Sequence, residues 1–288
     1  MQIKKIGVIG AGVMGYGIAQ VCAQGGFEVL LRDISDELVQ KGVRNIENNL
    51  NRLVSKAKLS EADKSAILSR IKGIVKMADL RDADFIVEAV FESMDLKKKI
   101  FKELDEVTRP EIILGTNTST LSVTEIASVT KRPEKVIGVH FFNPPPVMKL
   151  VEIIKGYLTS DETVTVTREL AEKGWGKETI VVKKDTPGFV VNRAFVPYIV
   201  EAMRMYEEGV ASIEDIDKGV KFGLNFPMGP FELMDLMGND TNLDVFGSLE
   251  RELGREFAFS VAYTLKAMVK AGKLGRKTGE GWYKYEKK

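Results

Sequence analysis

A glycine-rich turn close to the start of the sequence constrains the fold more than any other feature. The largely apolar run Lys4–Ile9 predicts a buried strand, and residues 10–15 (GAGVMG) follow it with the spacing G-x-G-x-x-G. Apolar residues then recur at helical spacing, and a second strand, residues 27–31, ends next to Asp33. This order of strand, glycine turn, helix, strand and acidic residue is typical of a dinucleotide-binding unit.

Each position of the turn suits a bound pyrophosphate. Gly10 permits a tight turn, Gly12 lets phosphates approach the backbone because it has no Cβ, and Gly15 lets helix and strand pack closely. Val13 and Met14 begin the helix, whose free N–H groups and positive dipole end favour phosphate. A turn with a purely structural role is the alternative, and the ordered elements around it argue against that interpretation.

Asp33 and its neighbour Arg32 bear on the choice of cofactor. A carboxylate at the end of the second strand can accept hydrogen bonds from an adenosine ribose and would repel a 2′-phosphate. We therefore expect NAD rather than NADP. Arg32 weakens that preference, because an arginine nearby is how such sites accommodate NADP.

Composition excludes several classes of function. The 288 residues suffice for about two domains, and 42 Lys and Arg against 41 Asp and Glu leave no strong field for nucleic acid or an acidic membrane. No apolar run approaches the roughly 20 residues that span a bilayer, and we expect no cleavable leader before the first strand. The single cysteine, Cys22, is expected in the core and fits a reducing compartment. We expect a cytoplasmic protein without a Cys/His metal site.

Two consecutive helices are expected after Asp33. Ser35 and Ser60 stand where helix caps belong, and the second helical pattern continues through Ile71. The polar faces carry basic and amide side chains: Arg44, Asn48, Asn49, Arg52, Lys56 and Lys58. One interpretation is a solvated helical hairpin, and the other is a basic surface that binds an anionic substrate. Considered alone, these residues favour the first.

The following segments alternate between strands and helices, which indicates one Rossmann-type α/β domain over residues 1–185. Strands are expected at residues 74–75, 84–90, 112–114, 136–142, 150–154 and 180–182, with helices at 95–107, 121–128 and 161–173. The polar residues 116–120, which include Asn117 and Ser119, directly follow a strand. Doubly wound proteins place ligand-contacting loops there, so both residues are candidate cofactor contacts.

The pattern changes at residues 185–188 (DTPG). From Phe189 onward we find only helical periodicity, at residues 189–208, 213–223, 230–251 and 257–271. Residues 186–288 are therefore predicted to form a smaller all-helical domain. Its apolar faces fit either a core or a partner surface.

His140, the only histidine, is expected near the end of the strand at 136–142. A neutral imidazole can take a proton near neutral pH, and an alcohol that loses a hydride to nicotinamide must also lose its hydroxyl proton to a base. Glu152, in the apolar run 150–154, would fix the imidazole tautomer and stabilise the imidazolium. The alternatives are a histidine satisfied in the core and a buried acid paired with a lysine.

Two further polar residues are candidates for holding the substrate. Ser119 could hydrogen-bond a substrate oxygen, or it could cap the helix at residues 121–128. Asn192 lies four residues after Gly188. It could reach the reaction site, or it could form a hydrogen bond within the linker. These residues alone do not decide between the alternatives.

Several long stretches together resemble the L-3-hydroxyacyl-CoA dehydrogenase family, and in particular its short-chain bacterial members. The stretches are GVIGAGVMGYGIAQ, IVEAVFE, TNTSTLSVTEIA, GVHFFNPPPVMKLVEII, DTPGFVVNR, PMGPFELMD and KLGRKTGEGWY. They extend over nearly the whole sequence and are far more specific than a glycine turn alone.

The resemblance implies reversible oxidation of an (S)-3-hydroxyacyl-CoA, such as 3-hydroxybutyryl-CoA, to the 3-oxoacyl-CoA with NAD. The family's acid–base pair corresponds to His140 and Glu152. Its substrate-contacting serine and asparagine correspond to Ser119 and Asn192. The family thus assigns a catalytic role to all four residues.

The resemblance also implies binding residues beyond the glycine turn. The family's contacts with NAD correspond to Asp33, Glu92, Lys97, Asn143 and Lys277. Its contact with coenzyme A corresponds to Lys56, which reverses the interpretation of the helical hairpin as merely solvated. The family's helical domain makes a dimer contact, so a homodimer is expected.

Two positions depart from the family pattern. Thr120 stands where many relatives have a second serine, and the middle proline of residues 144–146 stands where relatives commonly have a smaller residue. Neither change affects the proposed acid–base pair. Two other classes remain: a β-hydroxyacid dehydrogenase with a catalytic lysine in its helical domain, against which His140 and Glu152 argue, and a non-catalytic, crystallin-like relative that binds NAD.

Overall fold

The computed structural model describes residues 3–253 and 262–286. The chain forms two compact units, the first ending at Thr186 and the second beginning at Pro187. The first residues of the helix predicted at residues 257–271 lie outside the described residues, and a helix begins at Tyr263 in the described part. In these two described stretches, no helix combines the length and the apolar character that crossing a bilayer requires.

The first unit is built around one sheet. Its strands are β1 (Lys5–Ile9), β2 (Glu28–Arg32), β3 (Ile71–Ile74), β4 (Phe85–Glu88), β5 (Ile113–Thr116), β6 (Val136–Phe141), β7 (Leu150–Ile154) and β8 (Glu178–Val182). In the described part of the chain these eight strands lie in the order β3-β2-β1-β4-β5-β6-β7-β8. Neighbouring strands are parallel except β6 and β7, which are antiparallel.

Helices connect the parallel strands and cover the sheet. They are α1 (Val13–Gln24), α2 (Asp36–Ser55), α3 (Glu61–Ser69), α4 (Met94–Val107), α5 (Val123–Ala127) and α6 (Asp161–Glu169), with a 3-10 turn at Met77–Asp82 and a π-helical turn at Leu170–Gly174. Every residue of β4 and β6 is buried, as expected for apolar strands packed on both faces. The predicted Rossmann-type α/β fold is confirmed.

Serine side chains cap the N-termini of the two hairpin helices. Ser35 Oγ accepts a hydrogen bond from the N–H of Leu38, and Ser60 Oγ accepts one from the N–H of Asp63. Both caps agree with the sequence analysis. Each satisfies an N–H group of the first helical turn, which has no partner within its own helix.

The structure corrects the predicted end of the second hairpin helix. α3 ends at Ser69, and Ile71 begins β3 instead of continuing the helix. Pairing with β2 decides this, because Val29 lies in register with Ile71 and its N–H donates to the carbonyl of Arg70. The strand predicted at residues 74–75 is therefore the end of a strand that starts at Ile71.

The second unit contains five helices among its described residues. Its helices are α7 (Val191–Glu207), α8 (Ile213–Gly223), α9 (Pro230–Met237), α10 (Asn239–Leu253) and α11 (Tyr263–Lys270). Their apolar faces meet in one core that includes Met203, Phe231 and Phe246. The predicted all-helical C-terminal domain is confirmed, and these three apolar residues belong to its core.

The single helix predicted at residues 230–251 is wrong, because Gly238 divides it into α9 and α10. Gly238 has a φ of +99°, a conformation that L residues rarely adopt. Asp235, in the last turn of α9, is buried and accepts hydrogen bonds at 2.9 Å from the N–H groups of Trp282 and Tyr283. The break therefore lies beside the contacts that attach residues 282–283 to the helices.

Replacing Gly238 by alanine should destabilise the protein, because alanine is strained at this φ. We expect the free energy of unfolding to fall by about 1–3 kcal/mol. Gly219, inside α8, is the matched control, since a Cβ there would have no heavy atom within 4 Å. Gly219→Ala should raise the free energy by about 0.5–1 kcal/mol. Urea unfolding followed by circular dichroism measures both changes, and equal effects would contradict the role of Gly238.

Candidate active site

A cavity of about 670 Å³ lies at the carboxyl ends of β1, β2 and β4. Gly10, Gly12, Val13 and Met14 of the predicted turn line it. Gly15 has a packing role instead, because a Cβ on it would collide with the carbonyl oxygen of Gly10. The carboxyl edge of a doubly wound sheet is where such folds bind their ligands.

The space in front of α1 fits the phosphates of a dinucleotide. A Cβ on Gly12 would meet no heavy atom within 4 Å, so this position opens into the cavity. Gly10 has a φ of +96°, which produces the tight turn that sequence analysis assigned to it. The first N–H groups of α1 point from this open end, and they favour a bound anion.

Asp33 lines the cavity directly after the end of β2. Its Oδ2 accepts a hydrogen bond at 2.7 Å from the N–H of Ala11, which fixes the carboxylate against the glycine turn. Arg32 also lines the cavity, and its Nε donates to the carbonyl of Val75 at 3.0 Å. Lys41 of α2 lines the same cavity, a position that the sequence analysis missed because only the fold brings it there.

Lys97 lies inside the protein between two carboxylates. Its side chain is 1% exposed, and Nζ is 2.7 Å from Glu88 Oε1 and 3.5 Å from Glu92 Oε2. Glu88 is completely buried and also accepts a hydrogen bond from the hydroxyl of Thr116. Two of the predicted cofactor contacts, Glu92 and Lys97, are thus in direct contact with each other.

Ser119 is held by Glu92 and does not cap a helix. Glu92 Oε1 accepts hydrogen bonds from the N–H of Ser119 at 2.8 Å and from its hydroxyl at 3.2 Å. Ser122 caps α5, so the alternative of Ser119 as a helix cap is wrong. Partial burial raises the pKa of Glu92, but the charge of Lys97 and the hydrogen bonds from residues 118–120 outweigh it, and the pKa lies below its usual value.

Asn117 links the ends of three strands. Its N–H donates to the carbonyl of Glu88 at 2.7 Å, and its side-chain oxygen accepts from the N–H of Phe141 at 2.8 Å. The amide is thereby fixed between β4 and β6, one residue from His140. This places Asn117 on the same edge of the sheet as the cavity.

His140 and Glu152 form a buried hydrogen-bonded pair. The antiparallel register sets them directly opposite each other, and His140 Nδ1 is 2.7 Å from Glu152 Oε2. Glu152 has no exposed surface, and the His140 ring is nearly buried against Phe142. A carboxylate accepts hydrogen bonds only, so Nδ1 carries the proton and Nε2 is the acceptor of the neutral ring.

Asn143 is exposed in the segment that connects β6 to β7. This connection depends on Lys177, a nearly buried residue just before β8, which the sequence analysis missed. Lys177 Nζ donates to the carbonyls of Pro145 at 2.7 Å and Met148 at 2.8 Å. Burial lowers the pKa of Lys177.

Three predicted residues belong to other parts of the chain. Lys56 is exposed at the end of α2. Asn192 and Lys277 belong to the second unit, where Asn192 is buried near the start of α7 and Lys277 Nζ lies 2.5 Å from Asp240 Oδ1. Their predicted roles stay predictions.

Removing Asp33 should increase the affinity for NADPH relative to NADH, because Arg32 and Lys41 remain in the cavity. In Asp33→Ser, we expect the ratio of the two affinities to shift towards NADPH by about tenfold or more. Asp36→Ser, at an exposed position of α2, is the control and should leave the ratio within about twofold, since solvent and salt screen its charge. Fluorescence titration with both reduced cofactors measures the ratio. An unchanged ratio in Asp33→Ser would refute the role of the carboxylate.

Comparison with known proteins agrees with this geometry. The profile of the 3-hydroxyacyl-CoA dehydrogenase NAD binding domain matches residues 5–186, and that of the 3-hydroxyacyl-CoA dehydrogenase C-terminal domain matches residues 188–285. The chain is 47% identical to the 3-hydroxybutyryl-CoA dehydrogenase of Clostridioides difficile, over 98% of this chain and 100% of that protein. It is 44% identical to the protein of that name from Bradyrhizobium diazoefficiens, over 98% and 96% of the two chains.

A solved structure gives the same result. The crystal structure of (S)-3-hydroxybutyryl-CoA dehydrogenase from Ralstonia eutropha matches with a TM-score of 0.93 and 48% identity, over 99% of this chain and 100% of that one. Full-length similarity at this level, in both domains, confirms the resemblance seen in the sequence, including NAD as the cofactor of the first domain. The chain therefore belongs to the 3-hydroxyacyl-CoA dehydrogenase family.

Proposed function

We propose that this protein interconverts (S)-3-hydroxybutyryl-CoA, or a similarly short (S)-3-hydroxyacyl-CoA, and the corresponding 3-oxoacyl-CoA with NAD(H). The observation that carries this proposal is the His140–Glu152 pair, at 2.7 Å, on the edge of the sheet where the dinucleotide cavity lies. The relatives described above, which match over nearly their whole lengths, are 3-hydroxybutyryl-CoA dehydrogenases by name.

His140 is the general acid–base of the proposed reaction. With the proton on Nδ1 directed to Glu152, Nε2 takes the proton of the substrate's 3-hydroxyl group in oxidation and returns it in reduction. Bound NAD would supply the hydride acceptor, and the hydride leaves the carbon that bears this hydroxyl group. Because Glu152 is buried, its charge stabilises the imidazolium more than an exposed carboxylate would.

The remaining residues bind and orient the substrates. Ser119, whose hydroxyl is fixed by Glu92, and Asn192 are proposed to hold the oxygen that reacts. Glu92, Lys97, Asn143 and the glycine turn are proposed to contact NAD, and so is Lys277 of the second unit. Lys56, exposed and cationic at the end of α2, is proposed to contact the phosphates of coenzyme A.

The proposal predicts rapid oxidation of NADH in the presence of acetoacetyl-CoA, with much slower oxidation of NADPH. His140→Gln should lower kcat by about a thousandfold, because glutamine cannot exchange a proton, and Glu152→Gln by about a hundredfold or more, because the tautomer and the imidazolium lose their partner. NADH absorbance measures the rates, and NADH fluorescence serves as the control, since both variants should bind NADH normally.

Near-normal turnover of His140→Gln would contradict the assigned mechanism. No rate with wild-type protein and either cofactor would favour the alternative of a non-catalytic relative that binds NAD. The fluorescence control measures NADH binding separately, so a loss of turnover can be distinguished from a loss of cofactor binding.

We also propose that the second unit forms a homodimer, as the family resemblance implies. Phe222 and Leu224, at the end of α8, expose 79% and 62% of their surfaces, which is unusual for neighbouring large apolar residues.

Light scattering at micromolar concentration should give twice the chain mass of 32.0 kDa. The double variant Phe222→Ser and Leu224→Ser should reduce the mass to that of one chain. Tyr157→Ser with Leu158→Ser, at exposed apolar positions of the first unit, is the matched control and should stay dimeric.

A further inference from the structure

The cavity has a cluster of charges beside it that the acid–base chemistry does not use, in which Glu88 and Lys97 are buried and Glu92 is partly exposed. Glu88 is the last residue of β4, Lys97 lies in α4, and Glu92 lies between them in the chain. The three residues after Glu88, residues 89–91, line the cavity directly. We call Glu88, Lys97 and Glu92 the β4 charge cluster.

The β4 charge cluster has one more carboxylate than ammonium groups. Lys97 is 2.7 Å from Glu88 and 3.5 Å from Glu92, so one cation serves two anions. The neighbouring Lys98 is directed elsewhere, to Glu125 at 2.5 Å. The cluster therefore carries a net negative charge.

Neutral groups stabilise the carboxylates without removing that charge. Glu88 accepts hydrogen bonds from the N–H of Val90 at 2.7 Å and from the hydroxyl of Thr116 at 2.6 Å. Glu92 accepts from the hydroxyl of Thr118 at 2.6 Å. These donors are neutral, so they leave the excess negative charge of the cluster in place.

The topology locates the nicotinamide half of the cofactor above this cluster. Asp33 on β2 marks the adenosine ribose, and the open end of α1 beyond β1 marks the pyrophosphate. From β1 the sheet continues through β4 and β5 to β6, which carries His140. A dinucleotide extended away from β2 therefore passes over the end of β4 before its reactive ring reaches His140.

The oxidation state of the cofactor changes the charge of that ring. Oxidised nicotinamide is a cation and reduced nicotinamide is neutral, so a fixed negative charge attracts only the oxidised form. At separations of about 8–10 Å and an effective dielectric constant of about 20, one unit charge changes a binding constant roughly twentyfold. Burial of Glu88 protects its field from screening by salt.

We propose that the β4 charge cluster sets the affinity of the site for NAD⁺ relative to NADH, and that Glu88 supplies one of the two negative charges that Lys97 alone balances. The inference rests on the proposed function in one respect, the position of the reacting ring beside His140. It assigns Glu88 an electrostatic role in addition to its contact with Lys97.

Glu88→Gln tests this role with little change of shape. The amide oxygen of glutamine can take the place of Oε1 and accept from Lys97 and the N–H of Val90. Its NH₂ group can donate to Thr116, whose hydroxyl can rotate to accept. The variant removes one charge and keeps the hydrogen-bonded pairs.

The experiment measures two dissociation constants for each protein, without any acyl-CoA. NADH binding is followed by its fluorescence, and NAD⁺ binding by competition with NADH. In Glu88→Gln we expect the ratio of the NAD⁺ constant to the NADH constant to rise at least about fivefold, with the NADH constant nearly unchanged. Glu103→Gln is the matched control: Glu103 lines the same cavity but is exposed, so its removal should change the ratio less than about twofold.

Two results would overturn the inference. One is an unchanged ratio in a folded Glu88→Gln protein, and the other is a parallel rise of both constants, which a purely structural role would produce. If Glu88→Gln does not fold, Glu92→Gln removes a charge from the other end of the cluster and must raise the ratio too. Because this experiment uses no acyl-CoA, its failure would not contradict the proposed reaction. Conversely, an inactive wild-type protein would refute the proposed reaction and leave the ratio of the NAD⁺ and NADH dissociation constants unchanged.

Discussion

A carboxylate without access to water needs a hydrogen-bonding partner inside the protein. For Glu152 on β7, that partner is His140 on the neighbouring strand β6. Removing a buried charge from water costs several kcal/mol unless a partner and hydrogen bonds compensate. β6 and β7 are the antiparallel pair of an otherwise parallel sheet, and their register sets His140 opposite Glu152. The position of the proposed base therefore follows from backbone pairing, and the imidazole orientation follows from the carboxylate.

The same constraint acts at the end of β4, but a helix supplies the partner there. Glu88 is as deeply buried as Glu152, and Lys97 of α4 reaches it from the far side of the loop that lines the cavity. That loop and residues 118–120 are joined by Glu92, which holds Ser119. Two buried carboxylates, one on β4 and one on β7, thus fix the proposed cofactor contacts and the proposed acid–base pair.

Local patterns predicted the glycine turn, the serine caps, most strands and the two residues of the hydrogen-bonded pair His140–Glu152. Those features depend on short stretches whose spacing is visible in the chain. The failures have one cause, which is dependence on distant residues. Ile71 looks helical until β2 pairs with it, and the contacts of Lys177 join residues about thirty positions apart. Gly238 ends a helix inside an apolar pattern that continues on both sides, so periodicity alone could not detect the break.

The bond between Lys177 and the β6–β7 connection means that this loop is not an independent module. Three prolines give the loop few N–H donors, and its carbonyls at Pro145 and Met148 take their donor from a residue just before β8. Pro145 also packs against α1, where a Cβ on Gly17 would be too close to it. Anyone who transplants this loop into a relative to alter its specificity must therefore transfer Lys177 and Gly17 as well. The loop is held by contacts with two other parts of the chain, the residue before β8 and helix α1.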